Sequence, residues 1–137
     1  MMLKKSELIL FSIVFFIVAL WCVVAFSNAY AVDKEFRRCA GCHSIEKDKK
    51  GGMGPNLYGV YGSPAGQVKG YYYSKWLKES NITWNRETLR AWLSDRKTRE
   101  EYFGKKVFKT KMMWTGIKKE KDMKEILDYL ESKRLMY

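Results

Sequence analysis

The chain has 137 residues, with 26 basic against 15 acidic side chains and a formal net charge of +11 at neutral pH. That length suits one domain, and the charge favours acidic partners, either nucleic acid or an acidic protein face, without choosing between them. There are three cysteines and a single histidine, His43, so any metal site that needs two imidazoles from one chain is excluded.

The N-terminus is distinct. Lys4 and Lys5 precede Leu8 to Phe26, nineteen residues without a charge. Residues 1–31 then end in Ala29-Tyr30-Ala31, the layout of a secretory signal cleaved after Ala31. The same layout fits an uncleaved anchor. Nineteen residues at about 1.5 Å each make roughly 28 Å, close to the ~30 Å hydrocarbon core. A signal's apolar stretch is usually shorter, about 7–15 residues. The two lysines keep this end cytoplasmic, so residues 32–137 are exported on either reading. Trp21 precedes Cys22 where a lipid-attachment site needs a small residue, so Cys22 reads as a buried apolar thiol.

The exported part, 32–137, reads as all-α with long loops. Its small size limits the core it can bury, and a buried macrocycle would add apolar area. Asp33 to Arg38 leads as a short helix into Cys39-Ala-Gly-Cys-His43. Ser44 to Gly70 holds both prolines, Pro55 and Pro64, and many glycines, which predicts turns. Ser74 to Ser80 fits a short helix. Asn85 to Asp95 fits a longer one, with Leu89, Trp92 and Leu93 on one face and Thr83 or Asn85 as cap. Arg96 to Lys111 is charged and without apolar period, so it reads as a polar loop. Lys119 to Lys133 is the strongest helix, with Met123, Ile126, Leu127 and Leu130 at i, i+3, i+4, i+7. No segment alternates as a strand.

The chemistry lies in Cys39, Cys42 and His43. C-x-x-C-H is a haem c attachment pattern: two thiols add to the two vinyl groups of one haem, and the adjacent imidazole falls over the iron. A zinc site needs four ligands, usually Cys or His, and of those types only these three stand outside the apolar run. A thioredoxin-like pair needs a βαβ context, which is lacking. With no second histidine, methionine is the common remaining sixth ligand. Met123 is on a core stripe, Met136 is near the end of the chain, and Met53 is close in sequence to His43. Met112 and Met113 remain, and spacing does not separate them. The imidazole also needs an acceptor for its other N–H. The Gly51-Gly52-Met53-Gly54-Pro55 turn is placed to supply a carbonyl.

These residues resemble the class I cytochromes c of the mitochondrial type. The resemblance is carried by Cys39-Ala-Gly-Cys-His43, Gly54-Pro-Asn-Leu-Tyr-Gly-Val-Tyr-Gly62, Gly70-Tyr-Tyr-Tyr-Ser74, Ile82-Thr-Trp84, Thr110-Lys-Met-Met-Trp-Thr-Gly-Ile-Lys118 and Ile126-Leu-Asp-Tyr-Leu130, in that order. It implies the cytochrome c fold, thioether anchors at Cys39 and Cys42, His43 as proximal ligand and the Pro55 carbonyl as its acceptor. It selects Met112 as axial methionine, because that residue follows Thr-Lys. Tyr73, Ser74 and Trp84 would donate to the haem propionates, and Phe36 and Tyr129 would touch where the first and last helices cross. Ser63, Leu77 and Phe108-Lys109 depart from the family's arginine, asparagine and Pro-Gly, and the loop between Leu93 and Met112 is about seven residues longer, as surface loops tolerate.

The resemblance also implies a first helix starting about three turns before Cys39, near Asn28. That start lies inside what cleavage would remove and favours the anchor, as in membrane-tethered bacterial respiratory cytochromes c. The expected function is a mono-haem carrier of single electrons between respiratory complexes. Lys105, Lys106, Lys109, Lys111, Lys118 and Lys119 would dock on acidic faces of a cytochrome bc1-type quinol reductase and a terminal cytochrome c oxidase, with no nucleic-acid partner. The expected location is the bacterial inner membrane with the haem domain in the periplasm, or the periplasm itself after cleavage. A fixed haem subunit of a larger oxidase or dehydrogenase, or a small haem peroxidase, are the alternatives.

Overall fold

The computed structural model describes residues 11–22, 36–105, 107 and 110–134, and the chain divides into two units, Met1–Lys34 and Glu35–Tyr137. In the first unit residues 11–22 are helical. The large apolar side chains of this helix are exposed, Trp21 by 78%. Cys22 is exposed too, where the sequence suggests a buried thiol. No helix among the described residues is long and apolar enough to cross a membrane. The rest of the apolar run, residues 8–10 and 23–26, lies outside the described residues, as does the Ala29–Ala31 cleavage motif.

In the second unit the helices are α1 (residues 36–40), α2 (Lys75–Lys78), α3 (Arg86–Leu93), α4 (Arg96–Phe103) and α5 (Glu120–Ser132). The β structure among the described residues is one isolated antiparallel bridge, Pro64 to Thr83. The stripe on α5 is buried as its period predicts: Met123, Ile126, Leu127 and Leu130 all face the core. Phe36 on α1 packs against Tyr129 on α5 with ring centroids 5.2 Å apart, so the first and last helices meet there.

Ion pairs also join α3 to α5. Arg86 reaches Asp128 at 2.6 Å and Glu131 at 3.1 Å, and Arg90 forms a fork with both oxygens of Glu120. Lys124 and Arg86 hold the Asp128 carboxyl below its ordinary range. These groups are solvated, and such pairs contribute about 0–1 kcal/mol each. Each buried Leu or Ile contributes roughly 1.5–3 kcal/mol. Apolar burial therefore dominates this contact, and the ion pairs set its register.

α3 begins one residue later than the apolar pattern alone would place it. Asn85 accepts from the Thr88 backbone N–H at 2.9 Å, and Thr88 returns a bond to the Asn85 N–H, a reciprocal cap that satisfies otherwise orphaned donors. Ser74 caps α2 in the same sense, accepting from the Leu77 N–H at 3.3 Å. At the positions where the chain departs from mitochondrial cytochromes c, Ser63 turns its hydroxyl onto the Val60 carbonyl at 2.7 Å, and Leu77 is buried in the core.

One expectation fails. Residues 96–103 are not a polar loop but the helix α4. Asp95 caps it by accepting from the Thr98 N–H at 3.0 Å, and Gly104, at φ +79°, ends it. Its inward residues are Arg99 and Phe103. An arginine at the buried position leaves no apolar period in the sequence, which is why the pattern hides the helix.

Candidate functional site

α1 runs into a further turn in which the N–H groups of Cys42 and His43 both donate to the Cys39 carbonyl, at 3.0 and 2.9 Å. Residues three and four apart on a helical turn share a face. The local fold therefore brings Cys39, Cys42 and His43 to one side, and all three are half-buried. Cys39 also packs against the core.

The His43 ring is held by the segment that follows. Its Nδ1 lies 2.7 Å from the Pro55 carbonyl oxygen. A carbonyl can only accept, so Nδ1 carries the proton and Nε2 presents a lone pair. Gly54 crosses directly over the ring: a Cβ there would lie 2.3 Å from His43 Cε1. Only glycine lets the backbone pass close enough for the next carbonyl to reach the imidazole. The turn is laced back to the cysteine segment by Gly54 N–H to Cys42 O and Leu57 N–H to Ser44 O, both at 2.8 Å. Asn56 ties it further, donating to the Glu46 and Lys49 carbonyls.

The candidate methionines separate by packing. Met113 is 99% exposed and Met53 78% exposed. Met123 is in the core, and Met136 lies outside the described residues. Met112 is half-buried against the core. Its Sδ accepts from the indole Nε1–H of Trp92 at 3.3 Å, and its own N–H reaches Thr110 Oγ1 at 3.3 Å. Among the described residues no hydrogen bond joins the His43 and Met112 groups.

Trp92, which the sequence suggests only as part of an apolar face, is the residue that donates to the Met112 sulfur. It stacks on Trp76 at 6.3 Å and meets Trp84 at 5.3 Å and Phe103 at 5.9 Å edge-to-face. A buried indole needs a partner for its N–H, and that demand is the one signal that could have found its bond to sulfur.

Trp84 is buried, with its backbone paired to Gly62 and Ser63 at 2.6 and 2.8 Å. Its indole N–H meets no protein acceptor among the described residues. Burial pushes the Tyr73 hydroxyl up to about 12, with the Val68 backbone working against it, so Tyr73 stays a neutral donor. Ser74 uses a lone pair for the α2 cap, which leaves its O–H proton free to donate. These are three donors suited to carboxylates.

Taken together, the groups fit a covalently held haem. Two thiols stand on one turn, an imidazole has its tautomer set, a thioether is steered by an indole, and donors suit the propionates. Outside them lie exposed lysines. Lys111 and Lys78 place their ammonium groups 5.9 and 6.0 Å from the Tyr72 ring, which is itself 81% exposed. Lys105, Lys118 and Lys119 are exposed, and Lys106 and Lys109 lie outside the described residues.

The cytochrome c family matches residues 32–133 of this chain. A cytochrome c of Gibberella zeae is 39% identical over 94 residues, covering 69% of this chain and 82% of that protein. Cytochrome c2 iso-2 of Magnetospirillum molischianum is 37% identical, covering 71% and 92% respectively. Among solved structures, cytochrome cH from Methylobacterium extorquens superimposes with a TM-score of 0.63 at 37% identity, covering 76% of this chain and 97% of that one.

Proposed function

This chain belongs to the cytochrome c family, and on that premise we propose that it is a membrane-tethered carrier passing single electrons between respiratory complexes. The family is one of haem-bearing electron carriers rather than enzymes, and it implies covalent haem c at Cys39 and Cys42. Haem c, when bound, supplies an iron that gains and loses one electron. The protein's own residues decide how little else moves. Cys39 and Cys42 would hold the group through thioether bonds. His43 would bind the iron through Nε2, and the Pro55 carbonyl keeps that ring from turning. Met112 would bind it through a sulfur that the Trp92 N–H steers. Tyr73, Ser74 and Trp84 would donate to the propionates.

The observation that carries this reading is the His43–Pro55 contact of 2.7 Å, with Gly54 beneath the ring. It orients the chain's one imidazole as a fixed ligand and so removes it as a mobile acid–base group. A peroxidase would need such a group beside an open iron position. A carrier needs both ligands held, because any ligand rearrangement slows electron exchange.

The lysines near Met112 are the docking surface for acidic faces of a cytochrome bc1-type quinol reductase and a terminal cytochrome c oxidase. The bimolecular rate of oxidation by the oxidase is expected to fall as ionic strength rises towards 0.1 M, where the Debye length is about 10 Å. A stopped-flow salt series measures it, and a flat series would sink the docking model.

Tethering rests on the apolar run. Its described part is helical and its large side chains are exposed, and the full run is long enough for the ~30 Å hydrocarbon core. The haem domain then works in the periplasm. Intact mass of the protein extracted from bacterial membranes should equal the whole chain plus one haem. A mass lacking residues 1–31 would make it a soluble periplasmic carrier instead.

A further inference from the structure

Among the described residues Arg99 is the charged side chain with the least solvent contact, 4% exposed. Burial pulls its pKa down, with the Asp95 carboxylate working against it, but no carboxylate stands within ion-pair contact of it among the described residues. Taking a cation out of water without a counter-ion in contact is costly, so its compensations are informative. Its Nη2 donates to the Trp114 carbonyl at 2.9 Å and the Ser94 carbonyl at 3.2 Å. Its guanidinium carbon sits 5.9 Å from the Trp92 ring. Among the described residues its Nε has no partner.

Two of these three contacts, those with Trp114 and Trp92, lead to Met112. Trp114 is two residues beyond it, and Trp92 donates to its sulfur. The segment 112–117 is fastened to the corner between α3 and α4 at several points. Trp114 Nε1 donates to the Leu93 carbonyl at 3.1 Å, and the Ile117 N–H donates to the same carbonyl at 2.8 Å. Gly116, at φ +96°, comes so close that a Cβ would lie 2.6 Å from the Asp95 nitrogen. Arg99 touches both the chain that carries the thioether and the ring that holds it.

We infer that Arg99 is a positioning residue for Met112: from α4 it braces the 112–117 segment and Trp92, and so sets how readily the sulfur leaves the iron. This rests on the assignment of Met112 as axial ligand. It gives α4, the charged segment that lengthens the chain before Met112, a task beyond that of a solvated insertion.

Imidazole added to the ferric holoprotein tests this, because it binds the iron only when the sulfur has left. Its apparent affinity therefore reports the open fraction. Arg99→Met is expected to bind imidazole at least tenfold more tightly than wild type. Arg99→Lys, which keeps the charge but not the fork, should fall between them. It also serves if Arg99→Met fails to load haem. Tyr102→Phe removes the 3.0 Å bond from α4 to Glu87 without touching Met112, and it should leave imidazole binding unchanged. Unchanged affinity in the Arg99 variants, or an equal gain in Tyr102→Phe, overturns the inference. Met112→Ala separates that failure from a deeper one. If it also binds imidazole like wild type, the ligand assignment itself is wrong.

Discussion

Replacing Cys39 and Cys42 together by serine leaves a protein from which acidified organic solvent extracts all the haem, whereas the wild type retains it. Serine hydroxyls do not add to vinyl groups, so the proposed ligands His43 and Met112 would have to hold the haem by coordination alone. The loss extends to stability. A small domain buries a modest fraction of its chain surface, and a group bound only in the native state stabilises it by mass action. The double variant should therefore unfold at lower denaturant and in a manner that depends on haem concentration. Each single variant keeps one thioether and should resist extraction. Visible absorbance after extraction reads the outcome, and haem that stays with the double variant would refute attachment at these two residues.

Met112→Ala gives the second large effect. A thioether ligand raises the potential of the iron it binds, so its removal lowers the midpoint. The fall should be on the order of 0.2 V, about a quarter of the ~0.8 V that axial ligands span. At about 59 mV per decade for one electron, the reduced form is disfavoured more than a thousandfold. The methionine–iron charge-transfer band should vanish and the ferric spectrum turn high-spin, with slow peroxidase activity at the opened position. Met113→Ala is the control. Its side chain is 99% exposed, so potential and band should both persist. The reverse pattern would move the ligand one residue along the chain.

These two experiments probe parts of the site that were legible to very different degrees. The cysteine and histidine positions could be read directly, because the attachment chemistry acts within five consecutive residues. The turn at Gly54-Pro55 was legible as a turn, and the close pass of Gly54 over the imidazole explains why glycine stands there. The distal side was not so local. Elimination narrowed seven methionines to Met112 and Met113, and only the family's Thr-Lys-Met order chose between them. Packing separates them for a physical reason: one side chain is tucked under the Trp92 indole and its neighbour is turned to solvent.

α5 and α4 mark the same boundary within the fold. The amino-acid sequence by itself determined α5, since four apolar residues at helical spacing have one way to be buried together. It determined the C-x-x-C-H turn as well, and it offered Asn85 beside Thr83 as the cap of α3, of which the structure uses Asn85 through bonds that span three residues. The inward face of α4 was decided by tertiary structure. It carries Arg99 beside Phe103, and burying that cation is tolerable because carbonyls of Ser94 and Trp114 and the ring of Trp92 converge on it. No local pattern encodes that convergence. The same holds for the bond from Trp92 to Met112, twenty residues apart, which exists only once the segments around α3 and α4 have closed on one another.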